Sequence, residues 1–330
     1  MVAKHALPGS EVVMATGAGR RIVSRRTGPL GWSPRVWRKF RSGLLFTSPW
    51  IIGTIIFTIY PIAASFYYSF TEYSVVARPK WIGLQNYQAM FLNDDRFWIA
   101  MKNTLIFAVM SVPTGLVLSI GVAVLLNLRL PGMSIYRAAI YLPTVIPAVA
   151  YSIVWLWLMD PQYGAANDIL RKLGLPTIGW FMDPKWSKPS LVLIGLWGVG
   201  GAVVIFLAGL QDVPESLHEA AELDGAGVLK RFWHVTLPML TPTIFFNLVM
   251  SLIGAFSLFT SVFVITRGHG GPADSTLVYS LLLYVNAFSY FRMGYASAMA
   301  WVLFVIVSIA TFIVFKTSGR WVYYGGGSVG

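Results

Sequence analysis

The chain has 330 residues, 56% of them hydrophobic and only 12% charged, with a mean hydropathy of +0.66. A soluble domain of this length carries about a quarter charged residues, so the composition excludes an ordinary soluble globule and points to lipid as the solvent. The formal net charge is +12 and cysteine is absent, which removes disulfides, thiolate metal sites and cysteine nucleophiles together.

Taken in chain order, the sequence opens with a basic tail over residues 1–43. Nine cations fall within its first 41 positions: Lys4, Arg20, Arg21, Arg25, Arg26, Arg35, Arg38, Lys39 and Arg41. No globular domain follows that could present them to nucleic acid. They are expected to keep the N-terminus in the cytoplasm by the positive-inside rule. The tail also lacks the apolar run of about 7–15 residues that a signal core needs. Residues 1–42 and the end, Gly325–Gly330, are expected to be disordered.

Six stretches then meet the length of about 20 apolar residues needed to cross a bilayer: Leu44–Phe70, Asn103–Leu128, Ala138–Met159, Ser190–Leu210, Thr241–Thr266 and Met293–Phe315. The expected fold is therefore an all-α, polytopic membrane protein with six transmembrane helices over residues 44–316, closed by a short tail at 317–330. Pro49, Pro61, Pro113, Pro143 and Pro147 lie inside the first three spans. In a bundle they predict kinked, tilted helices, because neighbours re-satisfy the freed carbonyls. Six spans return the C-terminus to the cytoplasm, where Lys316 and Arg320 follow the last one. The segments Thr71–Lys102 and Asp160–Pro189 fall outside. They are expected to hold short surface helices, such as Ala166–Leu173, that either cover the outer rim or receive a soluble partner.

The interiors of the spans contain no Asp, Glu, Lys, Arg or His. Ionisable residues at membrane depth usually mark ion or proton pathways, so their absence weighs against the main alternative, an ion-coupled secondary carrier. A membrane enzyme lacks its paired carboxylates or histidine cluster. An apolar, aromatic and mildly polar lining suits a neutral, hydroxyl-rich solute. There is no G-x-x-x-x-G-K-[ST] loop to cradle phosphate, so ATP and magnesium have no site in this chain. His218-Glu219-Ala220-Ala221-Glu222 begins like the zinc motif H-E-x-x-H, but Glu222 stands where the second histidine belongs.

The most informative segment is Pro214–Pro238, PESLHEAAELDGAGVLKRFWHVTLP, between the fourth and fifth spans. Asp212 is placed to cap a short helix whose first turn holds Pro214. Asp224-Gly225 stops that helix, since glycine readily adopts the left-handed cap. A second short helix is expected from Ala226, ending before Pro238. Ala220, Ala221, Gly225, Ala226 and Gly227 keep the backbone lean enough to enter a groove, and Glu219 offers a charge to a basic residue there. The plainer alternative is an amphipathic loop resting on the bilayer surface.

At these residues the sequence resembles the EAA-loop permeases of bacterial ABC importers. The family pattern E-A-A-x-x-x-G followed by I-x-L-P reads here as Glu219-Ala220-Ala221, Gly225 and Val235-Thr236-Leu237-Pro238, with Val235 in place of isoleucine. Further stretches are similar to the carbohydrate-uptake branch, in particular to maltose- and glycerol-phosphate-transporter permeases: Ser69-Phe70-Thr71-Glu72-Tyr73, Gly83-Leu84-Gln85-Asn86-Tyr87, Asn103-Thr104-Leu105, Tyr141-Leu142-Pro143, Gly270-Gly271-Pro272 and Gly294-Tyr295-Ala296. Arg267 and His269 stand where the family is glycine-rich and are expected in a surface loop, the alternative being that they face an anionic group on the substrate.

The resemblance implies a type I ABC importer permease fold in the bacterial inner membrane. It implies a second, homologous permease subunit, two ATP-binding subunits that bind ATP and magnesium, and a solute-binding protein that delivers a sugar from outside. Glu219 would contact the ATPase, Gly225 would form the corner, and Leu237 and Pro238 would tie the loop to the fifth span. Trp197, Asn247, Ser251 and Ser257 are candidates for the sugar pathway, against ordinary helix packing.

Overall fold

The computed structural model describes residues 34–128 and 130–323. The tail before Pro34, Arg129 and residues 324–330 lie outside the described residues, and so does most of the expected disorder. The chain divides into two compact units at Ala64/Ser65.

The described residues of the first unit form one helical run. Helix α1 spans Pro34–Thr54, so it begins ten residues ahead of Leu44, where the sequence suggested a disordered tail. A wider π-type turn follows over Ile55–Ile59, and α2 (Tyr60–Ser69) carries the chain into the second unit. The Tyr60 N–H reaches five residues back, to the Ile55 carbonyl. That wide turn sits just before Pro61, whose ring would otherwise press on the preceding turn and whose nitrogen has no hydrogen to donate.

The second unit opens with a two-strand antiparallel ladder, β1 (Thr71–Glu72) with β2 (Lys80–Trp81), pairing Thr71 with Trp81 and Glu72 with Lys80. Helix α3 (Gln85–Leu92) leads to α4 (Asp95–Leu126), the longest helix. Its start is fixed by Asp94, whose carboxylate accepts from the Phe97 N–H at 3.2 Å. Pro113 leaves α4 unbroken.

The third expected span is two helices, α5 (Met133–Val145) and α6 (Ala148–Leu158), bent by 100°. Ile146 is extended, and Pro147 cannot continue the hydrogen-bond ladder, so the kink becomes an elbow. Helix α7 (Ala165–Lys172) matches the expected surface helix to within one residue at each end.

The fourth expected span is also two helices, α8 (Pro184–Trp197) and α9 (Gly200–Gln211), bent by 52° without any proline at the break. Close packing selects glycine at this break: a Cβ at Gly200 would collide with the Ile140 carbonyl of α5. Short helices α10 (Glu215–Leu223), α11 (Val228–Arg231) and α12 (Leu237–Met239) lead into α13 (Thr241–Phe256) and α14 (Thr260–Thr266). Helix α15 (Tyr279–Tyr284) and the final α16 (Met293–Ser318) complete the unit. Among the described residues, four helical stretches are long and apolar enough to cross a membrane, and the number rises to six when each bent pair counts as one crossing.

Two apolar clusters hold the second unit together. The larger joins Phe97 and Met101 of α4 to Ile194 of α8, Tyr279 and Leu281 of α15, and Met299 of α16. The smaller joins Ala123 and Leu126 of α4 to Val203, Phe206, Leu207 and Leu210 of α9, with Leu240 at its centre. Between helices in lipid, close packing of this kind and interhelical hydrogen bonds carry the association, since the surrounding tails are as apolar as leucine.

Candidate coupling loop and translocation wall

The loop between α9 and α13 is built from its caps. Asp212 closes α9, its N–H bonded to the Ala208 carbonyl at 3.1 Å, and does not cap the next helix as expected. Pro214 is likewise just outside α10, with an extended ψ of 128°. At the far end of α10 the Gly225 N–H bonds to the Glu222 carbonyl at 3.0 Å, and the Ala226 N–H to the Ala221 carbonyl at 2.9 Å. These two bonds are the 5→2 and 6→1 pair of a Schellman cap, which needs a left-handed residue at its C′ position. Gly225 supplies it with φ +75°. Nothing lies within 4 Å of where its Cβ would sit, so backbone conformation, and not crowding, selects glycine.

Beyond the corner, Arg231 of α11 reaches back to Glu222 of α10 at 2.6 Å. The pair is largely exposed on the Glu222 side, so its contribution is at most about 1 kcal/mol. Glu222→Gln is accordingly expected to leave transport within about fivefold of wild type, measured as initial uptake rate in the assembled transporter.

The second helix does not end before Pro238. A π-type turn over Phe232–Thr236 lets the Leu237 N–H bond five residues back to Phe232, and α12 runs through Pro238. The device is the same as the one at Pro61. Leu240 then accepts from Ile244 at 2.8 Å and donates to Thr236 at 3.0 Å, while its side chain is fully buried between α4 and α9. The loop is thus fastened to the bundle at one buried leucine that sequence reasoning missed. A cavity of ≈ 620 Å³, lined by Arg137, Asp212, Glu215 and His218 among others, separates the root of α10 from the α4–α5 turn.

Glu219, Ala220, Asp224 and Gly225 are exposed, and Ala221 is partly covered. The loop also shows large apolar side chains to the surroundings: Leu223 is 90% exposed, Val228 76% and Leu229 71%. Leu223 ends α10 directly before the corner, an apolar residue where a free-standing helix would place a polar one. A sequence signal for this knob existed but was not used.

The wall candidates divide into two groups. Trp197, the last residue of α8, meets two aromatic rings of α6 edge-on, Trp155 at 5.9 Å and Tyr151 at 6.4 Å between centroids. The Tyr151 hydroxyl lies 2.6 Å from that of Ser261 on α14. Asn247, Ser251 and Ser257 belong to α13 and its end. Asn247 is buried and donates to the Thr243 carbonyl of its own helix at 2.9 Å. Ser251 is partly covered, and exposed Ser257 follows the last residue of α13.

At the other end of α4, several of the stretches that carried the family resemblance are joined to distant segments by hydrogen bonds. Asn86 donates to the carbonyls of Ser69 and Thr71, both at 2.9 Å. Asn103 donates to the carbonyls of Asp274 and Leu277 at 2.7 and 3.0 Å, and the Thr104 hydroxyl accepts from the Tyr279 N–H at 2.8 Å. The Gly294 N–H bonds to the Tyr73 carbonyl at 3.1 Å, and the Tyr295 hydroxyl donates to Asp94 at 2.5 Å. Arg267 and His269 are exposed in the turn after α14. Beside these segments opens a cavity of ≈ 970 Å³, whose lining includes Arg78, Lys80, Arg96 and Arg292.

The chain belongs to the family described as binding-protein-dependent transport system inner membrane component, which matches residues 103–322. It is 46% identical to the probable ABC transporter permease protein YesP of Bacillus subtilis over 285 residues, covering 86% of this chain and 92% of that one. It is 36% identical to the lactose transport system permease protein LacF of Rhizobium radiobacter over 282 residues, covering 83% and 93%. A chain in the crystal structure of a bacterial alginate ABC transporter, in complex with an alginate pentasaccharide-bound periplasmic protein, shares the fold with a TM-score of 0.75. Its identity is 23%, over 87% of this chain and 98% of that one.

Proposed function

We propose that this chain forms half of the translocation pathway of an ATP-driven, binding-protein-dependent sugar importer and receives its driving motion through the α9–α13 loop. The single observation that carries the reading is the Schellman-capped corner at Gly225, which projects Glu219 and Leu223 away from a bundle anchored at Leu240. ATP is bound and hydrolysed by two partner subunits, since no phosphate-cradling loop occurs in the sequence. A second, homologous permease completes the pore, and a solute-binding protein delivers substrate at the end where Asn86, Asn103 and Tyr295 lie. That end faces outward, and the loop and both termini face the cytoplasm of a bacterium across its inner membrane. A carbohydrate substrate is supported by the lactose transport named for one relative and by the aromatic and hydroxyl-bearing side chains at Trp197, Ser251 and Ser257.

Reconstitution tests this directly. Vesicles holding the chain with its partner permease and ATP-binding subunits are expected to take up labelled oligosaccharide only with ATP inside and binding protein outside. Uptake by the chain alone, driven by an ion gradient, would establish the secondary-carrier alternative instead. Glu219→Lys reverses a charge at the exposed loop. It is expected to reduce the amount of ATP-binding subunit recovered with the permease by roughly tenfold, as for a reversed interface charge. Unchanged recovery would sink the assigned contact.

A further inference from the structure

The cations that begin the first helix have no role in this coupling scheme. Helix α1 runs without a break from Pro34 into the apolar stretch that starts at Leu44. Arg35, Arg38 and Lys39 stand at i, i+3 and i+4 and share one face. Val36, Trp37, Phe40 and Leu44 share the other, and the Trp37 and Phe40 rings stack with centroids 5.7 Å apart. Arg41 lies on the flank between the two. All four cations are exposed. Glu11 is the only acidic residue before Glu72, so no nearby sequence neutralises them.

Distance along the helix places this stripe at a lipid surface. At about 1.5 Å rise per residue, Arg41 lies roughly 4–5 Å and Arg35 roughly 13 Å before Leu44. A headgroup layer is about 5–8 Å deep on each side of the hydrocarbon, and the field of anionic lipids extends about a further Debye length, about 10 Å. The aromatic face suits the boundary between headgroups and tails, where tryptophan concentrates. Long cationic side chains reach phosphates from a helix that dips below them.

We propose that α1 opens with a binding surface for anionic phospholipid headgroups, formed by Arg35, Arg38, Lys39 and Arg41 and seated by Trp37 and Phe40. The surface is selective for charge and not for headgroup shape. It fixes where α1 enters the bilayer whichever solute is carried.

Electron paramagnetic resonance of spin-labelled lipids tests this in the full-length chain reconstituted in phosphatidylcholine vesicles. The wild type is expected to restrict spin-labelled phosphatidylglycerol at least about threefold more than spin-labelled phosphatidylcholine. A preference of that size is within the roughly fivefold that one cation near an anionic surface contributes. Raising salt to about 1 M, where the Debye length is about 3 Å, should remove it. The quadruple variant Arg35→Gln, Arg38→Gln, Lys39→Gln, Arg41→Gln should lose the preference. The charge-preserving variant Arg35→Lys, Arg38→Lys, Arg41→Lys should keep it. A preference that persists in the glutamine variant overturns the proposal. Loss of the preference in the lysine variant overturns it equally.

Discussion

Replacing Gly225 with valine is expected to lower ATP-dependent uptake at least roughly tenfold while leaving the amount of protein in the membrane unchanged. The argument is conformational. An L-residue in the left-handed region costs about 1–2 kcal/mol, and a β-branched side chain tolerates it least. Valine at φ +75° would therefore relax toward negative φ and give up the two bonds that close the corner, from Gly225 to Glu222 and from Ala226 to Ala221. The direction in which α11 leaves α10 would change, and with it the link between Glu219 and Leu240. No side chain fills the space beside Gly225, so Gly225→Asn, which accepts the left-handed conformation, is expected to retain most of the uptake. Equal loss in both variants would mean that the position is selected by contact with another subunit and not by its backbone.

Leu223→Asp is expected to release the ATP-binding subunit. In the separate chain Leu223 is 90% exposed, and substitutions at such positions usually change stability by less than about 0.5 kcal/mol. In a complex that covers it, a leucine at the tip of a projecting helix is a candidate anchor. Losing such an anchor costs about 2 kcal/mol or more, roughly a thirtyfold loss of affinity, and a buried unpaired carboxylate adds to that. The measurement is co-purification of the ATP-binding subunit, with the thermal stability of the permease alone as the control. Loss of partner with unchanged permease stability supports the docking role. A variant that still recovers its partner shows that Leu223 faces lipid or water in the assembly.

Much of the architecture could be read from the amino acids because lipid imposes so few solutions. The six apolar stretches match the helices or bent pairs of the structure, and the glycine corner appears where Asp224-Gly225 placed it. What escaped the reading was set by contact between distant elements. The break between α8 and α9 has no proline to announce it, and Gly200 stands there because the Ile140 carbonyl of α5 leaves no room for a Cβ. Asp212 looked like the cap of the next helix but ends the previous one. Pro238 looked like a terminator, yet a π-type turn absorbs it. Asn86, Asn103 and Tyr295 were visible only as family resemblances, and their reason is a network spanning some 200 positions of sequence, such as the bond from Tyr295 to Asp94.

The elbow at Ile146 and Pro147 has a consequence for how this subunit can exist. The Pro143 carbonyl of α5 takes the Ile146 N–H at 3.2 Å, but the other groups at the facing ends of α5 and α6 lie beyond their helices' own ladders, and Pro147 has no hydrogen to offer. Bare peptide groups in hydrocarbon cost several kcal/mol each and survive at that depth only beside water or under protein. Ile146 is only partly covered and Pro147 is exposed in the single chain. A wet furrow or a neighbouring protein flank is therefore expected against this bend, where acyl tails would leave peptide groups unsatisfied.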